Sequence, residues 1–175
     1  MKFLSERAAK ASRNWGDPGV RKAAKDWHDF SRTVDYQYMF EFGGLPIIQD
    51  PQDVCMLQEV LWKLKPTLVI ETGVARGGSL ILSAAAMAAF GYAEKLAGAA
   101  PVSRRVIGVD IDIRPHNRSV IESHPLSKMI ILIEGSSVDA KTVAAVKSHV
   151  KEGDRVLVIL DSNHTEDHVL WELEA

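Results

Sequence analysis

At 175 residues, 46% hydrophobic and 25% charged, the chain carries enough apolar material for a real core and reads as one globular domain with an N-terminal extension, not a disordered polymer. Its 21 basic and 23 acidic residues are well mixed and leave a net charge of −2, which argues against nucleic acid or an anionic membrane as partner. No segment approaches the roughly 18 consecutive apolar residues that a membrane span needs, and the one cysteine, Cys55, forms no internal disulfide, so a cytoplasmic protein is expected.

The first fifty residues, rich in aromatics and charges as in "WHDFSRTVDYQYMFEFGG", lack a strand-like core run. They predict a helical or irregular extension over residues 1–50, followed by a second domain over residues 51–175. Aromatics such as Trp27, Tyr36, Tyr38 and Phe40 suit a lid that stacks on a sugar, although core or interface packing is their more common fate. "DPQDVCMLQEVLWKLKP" predicts a helix with Asp50 as cap, Pro51 at the first position and Asp53 in the first turn. Val54, Leu57, Leu61 and Leu64 form its apolar stripe, Pro66 stops it, and Cys55 among apolar neighbours reads as a packed thiol.

Beyond Pro66 the pattern becomes regular. "TLVIE", "RVIGVD", "MIILIE" and "RVLVIL" are short, β-branched and apolar throughout, as strands covered on both faces by helices should be. Helical segments are expected at 78–92, 115–123, 138–150 and from about Thr165, with "KLAGAAPVSRR" as a surface loop. The small residues of "AAAMAAF" let the first of these helices lie close to the sheet. Alternating strands and helices imply parallel strands with right-handed crossovers, a doubly wound α/β fold.

Each strand ends in a carboxylate: Glu71, Asp110, Glu134 and Asp161. Parallel strands bring all four to the sheet edge where such folds bind ligands. A single acid there meets water or caps a helix; four together point to a ligand with hydroxyls, an amine, a sulfonium or a metal ion. "IETGVARGGS" places Gly73, Gly77 and Gly78 in the first strand-to-helix turn. Their spacing is not the G-x-G-x-x-G dinucleotide fingerprint with an acid about 20 residues on, which weakens a nicotinamide oxidoreductase reading. No Walker-type lysine follows, and Glu71 precedes the turn, which disfavours a phosphate cradle. A cationic or zwitterionic cofactor fits better, approached closely by glycine backbone. Turn geometry and helix packing by themselves explain Gly78 best and Gly73 least.

"GGLPIIQDPQDVCMLQEVLWKLKPTLVIETGVARGGSLI", "VIGVDIDIR" and "LDSNHTEDHVLWELEA" together resemble the cephalosporin hydroxylase family, whose members look like S-adenosylmethionine-dependent methyltransferases and include rhamnosyl O-methyltransferases. The resemblance runs from about Tyr36 to Ala175. It implies a Rossmann-like class I methyltransferase fold with about four strands present here, and S-adenosylmethionine as cofactor. The turn Glu71, Gly73, Ala75, Arg76, Gly77, Gly78 and Ser79 would hold the methionine part. Asp110 would accept the ribose hydroxyls, with Asp112 either orienting the cofactor or starting a turn. Ser136 and Ser137 would flank the adenine, or cap the next helix.

The same resemblance makes Asp161 a ligand of a divalent metal, usually Mg2+, that lowers the pKa of an acceptor hydroxyl on a sugar or natural product. His164 is the candidate base, or else a helix-start residue. His168, four residues on, is discounted as a metal partner because magnesium prefers oxygen ligands. Family members continue with a further strand bearing an acidic pair, whereas this sequence stops inside an apparent helix. The expectation is therefore an incomplete sheet whose edge strand "RVLVIL" is covered in a homo-oligomer or by a partner. Two readings follow: an O-methyltransferase acting on a small-molecule hydroxyl, or a non-catalytic module that binds the cofactor or serves assembly.

Overall fold

The structure, a computed structural model, describes residues 2–175. The chain divides into two compact units, one up to Met39 and one from Phe40 to Ala175.

The first unit contains α1 (Lys2–Gly16), α2 (Pro18–Thr33) and a single 3-10 turn at Tyr36–Tyr38. The Asp17 carboxylate caps α2, accepting from the N–H groups of Gly19 at 2.7 Å and Val20 at 3.3 Å, and Pro18 opens the helix where its missing N–H costs nothing. Trp27 meets Tyr36 edge-on at 5.3 Å between ring centroids. No residue of α1 is buried, and only Ser31 of α2 is.

The second unit opens with a hairpin, β1 (Phe40–Phe42) and β2 (Leu45–Ile47), where the sequence suggests no strand. Leu45 and Ile47 are buried, and the hairpin lies against the long helix described below. Helix α3 (Pro51–Leu64) follows. Pro51 starts it, but Asp50 makes no side-chain cap bond, and the stripe is narrower than expected, with Leu61 buried and Leu64 exposed. Cys55 lies on the exposed side of α3 and is not the packed thiol the sequence suggests.

Four parallel strands then alternate with helices: β3 (Leu68–Thr72), α4 (Gly78–Leu96), β4 (Arg105–Asp110), α5 (Pro115–Ser123), β5 (Ile130–Glu134), α6 (Ala140–Ser148), β6 (Val156–Leu160) and α7 (Glu166–Glu174). Their order across the sheet is β5-β4-β3-β6. The chain thus steps outward from β3 through β4 to β5, then returns to lay β6 on the opposite side of β3. That reversal makes the C-terminal ends of β3 and β6 a topological switch point, where open α/β sheets leave a crevice.

Strand alternation sorts the core onto two faces. Val69 and Val106 pack with Leu61 of α3, Leu80, Ile81, Met87 and Phe90 of α4, and Ile121 of α5. Leu68, Ile107 and Val109 face the other way, toward Ile70, Ile131, Ile133 and Val146 of α6. Each such fully buried aliphatic side chain contributes about 1.5–3 kcal/mol. The second face is thinner. Val156 and Val158 of β6 are largely exposed, so this edge strand is not covered on both sides as its composition suggests. Among the described residues no helix is long and apolar enough to cross a membrane.

Opposite the crevice, Asp154 ties the strand beginnings together. It ion-pairs with Arg105 at the start of β4, accepts from the Thr67 hydroxyl at 2.7 Å and from the Lys151 N–H at 2.7 Å, while Thr67 Oγ1 accepts from the Arg155 N–H at 3.0 Å. Asp154→Ala is expected to lower stability by about 2–4 kcal/mol, read as an earlier urea midpoint, because it strands the mostly buried Arg105 guanidinium.

Candidate functional site

The site begins with the end of β3. The ladder continues past the strand: Gly73 N–H donates to Val109 O at 2.8 Å on one side, and Asp161 N–H donates to Thr72 O at 2.9 Å on the other. Gly73 then turns with φ of +91°, and a Cβ there would overlap the carbonyl oxygen of Asp161. Turn geometry and close packing thus explain Gly73 fully, contrary to the expectation that they explain it least. Gly78 is confined too, since a side chain would run into the carbonyl of Pro46 in the hairpin.

Asp110 organises the turn. Its Oδ2 accepts from the N–H groups of Val74 at 2.8 Å and Ala75 at 3.2 Å, and its Oδ1 accepts from Asp112 N–H at 3.1 Å. Asn117 Nδ2 donates to Ala75 O at 2.8 Å from the far side, holding Ala75 at φ of +44°. Gly77 N–H is used by Val74 O at 2.8 Å. With these three N–H groups occupied, the turn is not the open donor nest that a phosphate requires.

Two cavities flank the turn, of about 430 Å³ and about 160 Å³, and share Gly73, Ala75 and Asp161 in their walls. The larger brings together Asp110, Ile111, Ser136, Ser137, Asn163 and His168 around them. The smaller adds Arg76, Gly77, Gly78, Ser79, Gln49 and His164. Ser136 and Ser137 do not cap α6; Asp139 does, accepting from Lys141 N–H at 2.9 Å and Thr142 N–H at 3.3 Å. Ser137 Oγ instead lies 3.2 Å from His168 Nε2. Asp112 lies outside both cavities, exposed and 4.0 Å from Arg114.

The four strand-end acids do not all converge. Glu134 is drawn to the surface by Arg118 at 3.2 Å. Glu71 is wholly buried beneath the turn, where its Oε1 accepts from Ser79 Oγ and Oε2 has no partner. Burial pushes its pKa up to about 8, against the hydrogen bond from Ser79, so it is mostly neutral at pH 7. Asp110 and Asp161 remain to line the cavities. Burial also raises the Asp161 pKa, opposed by His164, whose Nε2 lies 3.6 Å from Oδ1, and by Gln49, whose Nε2 donates to Oδ2 at 2.8 Å.

Asp161 is the carboxylate common to both cavities. Among the described residues no group of three His, Cys, Asp or Glu side chains comes together, and one Asp161 oxygen already accepts from an amide. His164 and His168 sit in different cavities and do not pair. The residues that sequence reasoning missed are Gln49, Ile111, Asn117 and Asn163. Gln49 stands 112 positions from the carboxylate it holds, a separation that no local pattern signals.

Two outcomes test this geometry. Folding takes up a proton on Glu71 between its ordinary value of 4.5 and about 8, so its contribution to stability is complete at low pH and is lost as pH rises through that window. Glu71→Gln should flatten the fall in Tm from pH 5 to pH 8 and raise Tm most at the alkaline end. Gly73→Ala should destabilise by more than about 1 kcal/mol in a chemical melt, the cost of a strained φ before any overlap is counted.

Residues 34–175 match the family described as rhamnosyl O-methyltransferase/CmcI. A search of curated proteins returned no match. Among solved structures, CmcI with SAH is 22% identical over 77% of this chain and 59% of its own, at a TM-score of 0.47. CmcI with Mg-SAM is 24% identical over 76% and 50%, at 0.48. An O-methyltransferase from Bacillus cereus in complex with SAH is 16% identical over 72% and 52%, at 0.51, and shares the fold. The chain spans between half and three-fifths of the length of these structures. A parallel sheet with its crevice at the β3/β6 switch point, floored by a glycine turn and walled by Asp110, agrees with the match over residues 34–175: the chain belongs to the rhamnosyl O-methyltransferase/CmcI family.

Proposed function

We propose that this chain binds S-adenosylmethionine in the two joined cavities and serves methyl transfer to a hydroxyl of a small molecule, a sugar or a glycosylated natural product. The observation that supports this most directly is the cavity of about 430 Å³ that opens where the side-chain-free Gly73 meets the Asp110 carboxylate. The family match and the SAH held by the Bacillus cereus O-methyltransferase of the same fold support it further.

The residues present suit this cofactor. Asp110 Oδ1 accepts one N–H and keeps a lone pair for a ribose hydroxyl. Ile111, 75% exposed beside it, offers an apolar face to an adenine ring, with Ser136 and Ser137 across the cavity. Gly73, Ala75, Arg76, Gly77, Gly78 and Ser79 would border the methionine end, above the neutral Glu71. Asp161, shared by both cavities, suits a cation between them. When bound, S-adenosylmethionine supplies an electrophilic methyl group on a positively charged sulfur.

His164 is the group that would take the acceptor proton, onto Nδ1, since its Nε2 faces Asp161. Asp161 would orient the ring, while Gln49 holds the carboxylate in place. Magnesium is bound by a relative; in this chain Asp161 would be the carboxylate that holds it, and no step is assigned to a metal. The second reading is cofactor binding without transfer.

Calorimetry with S-adenosylmethionine, SAH and NAD, each with and without Mg2+, separates the readings. Binding of SAH and not NAD is expected, and binding of neither sulfur compound would remove the proposal. Asp110→Asn should weaken SAH binding about tenfold or more, the loss of one charge-assisted hydrogen bond. His164→Ala should leave SAH binding intact and abolish transfer to a sugar hydroxyl; binding with no transfer by the parent chain to any acceptor would favour the second reading.

A further inference from the structure

Three residues in the wall of the larger cavity, Ser137 after β5, Ser162 after β6 and His168 on α7, converge on a side chain that does not line it, the carboxylate of Glu172. Ser162 Oγ donates to Glu172 Oε1 at 2.8 Å, and His168 Nε2 lies 3.4 Å from the same oxygen and 3.2 Å from Ser137 Oγ. The Glu172 side chain is only 2% exposed. Burial works against its charge, yet the hydroxyls of Ser137 and Ser162 and the nearby His168 hold its pKa below the ordinary value. No step of the proposed transfer uses this buried charge, which would be costly to keep without a role.

What the carboxylate sets is the state of the imidazole. With Glu172 Oε1 and Ser137 Oγ both against Nε2, the neutral ring carries its proton there, and Nδ1 is left as an acceptor. Nδ1 takes no hydrogen bond from the described residues. Trp171 meets the ring edge-on at 6.5 Å between centroids and limits its rotation. His168 shares its cavity with Ile111, Ser136 and Ser137, the residues assigned above to the adenine. On the edges of that base the ring nitrogens accept hydrogen bonds, and the exocyclic amine is the group that donates. A fixed acceptor at this place matches that donor.

We infer that His168, oriented by Glu172, accepts a hydrogen bond from the adenine amine and so selects adenosyl compounds over other nucleosidyl ones, an inference that rests on the cofactor reading above. His168 is the specificity residue and Glu172 the positioning residue. A base with an oxygen in place of the amine would set lone pair against lone pair at Nδ1, which a site built for a donor rejects. Without Glu172 the imidazole could move its proton to Nδ1 and accept such a base, so the buried charge is what makes the discrimination firm.

Calorimetry of the full chain with SAH and with S-inosylhomocysteine, which carries an oxygen where adenine has its amine, reads the preference directly. The parent chain should bind SAH about tenfold or more tighter than the inosyl compound. His168→Phe, which fills the space without offering an acceptor, should weaken SAH about tenfold and bring the two ligands within about twofold of each other. Glu172→Leu should narrow the ratio in the same way while circular dichroism shows a folded chain; if it unfolds, His168→Phe decides alone. A parent chain that binds neither ligand removes the cofactor reading and this inference with it. A parent chain that binds SAH without discriminating, or a His168→Phe variant that weakens both ligands by the same factor, overturns this inference and leaves the cofactor reading standing. A folded Glu172→Leu variant that keeps the parent's ratio overturns the role given to Glu172.

Discussion

The close approach of Gly73 to the carbonyl of Asp161 is the constraint on which the site depends. Two parallel strands, β3 and β6, run side by side and keep their hydrogen-bond ladder to the last residue. Their ends can stay together only if the residue that turns away from β3 carries no side chain and tolerates a left-handed φ. Once that turn is made, Val74 and Ala75 lie within reach of the Asp110 carboxylate from the neighbouring strand. Three strands are thereby joined at one edge, and the cavities are what remains around the joint.

The electrostatics of that edge follow from burial more than from the count of acids. Glu71, enclosed beneath α4, holds its proton, and Glu134 is neutralised at the surface by Arg118. Repulsion among the acids is thus relieved without any ligand. The carboxylates left facing the cavities, Asp110 and Asp161, each accept hydrogen bonds from the protein and present a partly compensated negative charge. Such an edge attracts a positively charged ligand and repels a phosphate, and the occupied N–H groups of the turn act in the same direction.

Charge is divided along the sequence as the site is by burial. A basic arm with an aromatic stripe stands at one end of the sequence, and an acidic helix with exposed Leu170, Trp171 and Leu173 at the other. β6 is an edge strand with Val156 and Val158 open to water. An exposed apolar edge of this kind is an aggregation hazard.

Much of the fold could be read from local pattern. The runs 67–71, 105–110, 129–134 and 155–160 are continuous and β-branched, and each became a strand within a residue or so. The helix at Pro115–Ser123 has the expected bounds. Gly73, Asp110 and Asp161, which the strand pattern places at one edge of a parallel sheet, line the cavities, as do Ala75, Ser136, Ser137 and His164, which only the family resemblance implies. What local pattern could not supply was the order β5-β4-β3-β6, since every crossover of suitable length reads alike along the chain. That order alone sets Asp161 beside Gly73, brings Gln49 to a carboxylate 112 residues away, and buries Glu71 while leaving Asp110 open. The amino-acid pattern determined which residues reach the edge of the sheet; three-dimensional packing decided which of them keep their charge, because burial and long-range partners exist only once the strands are laid side by side.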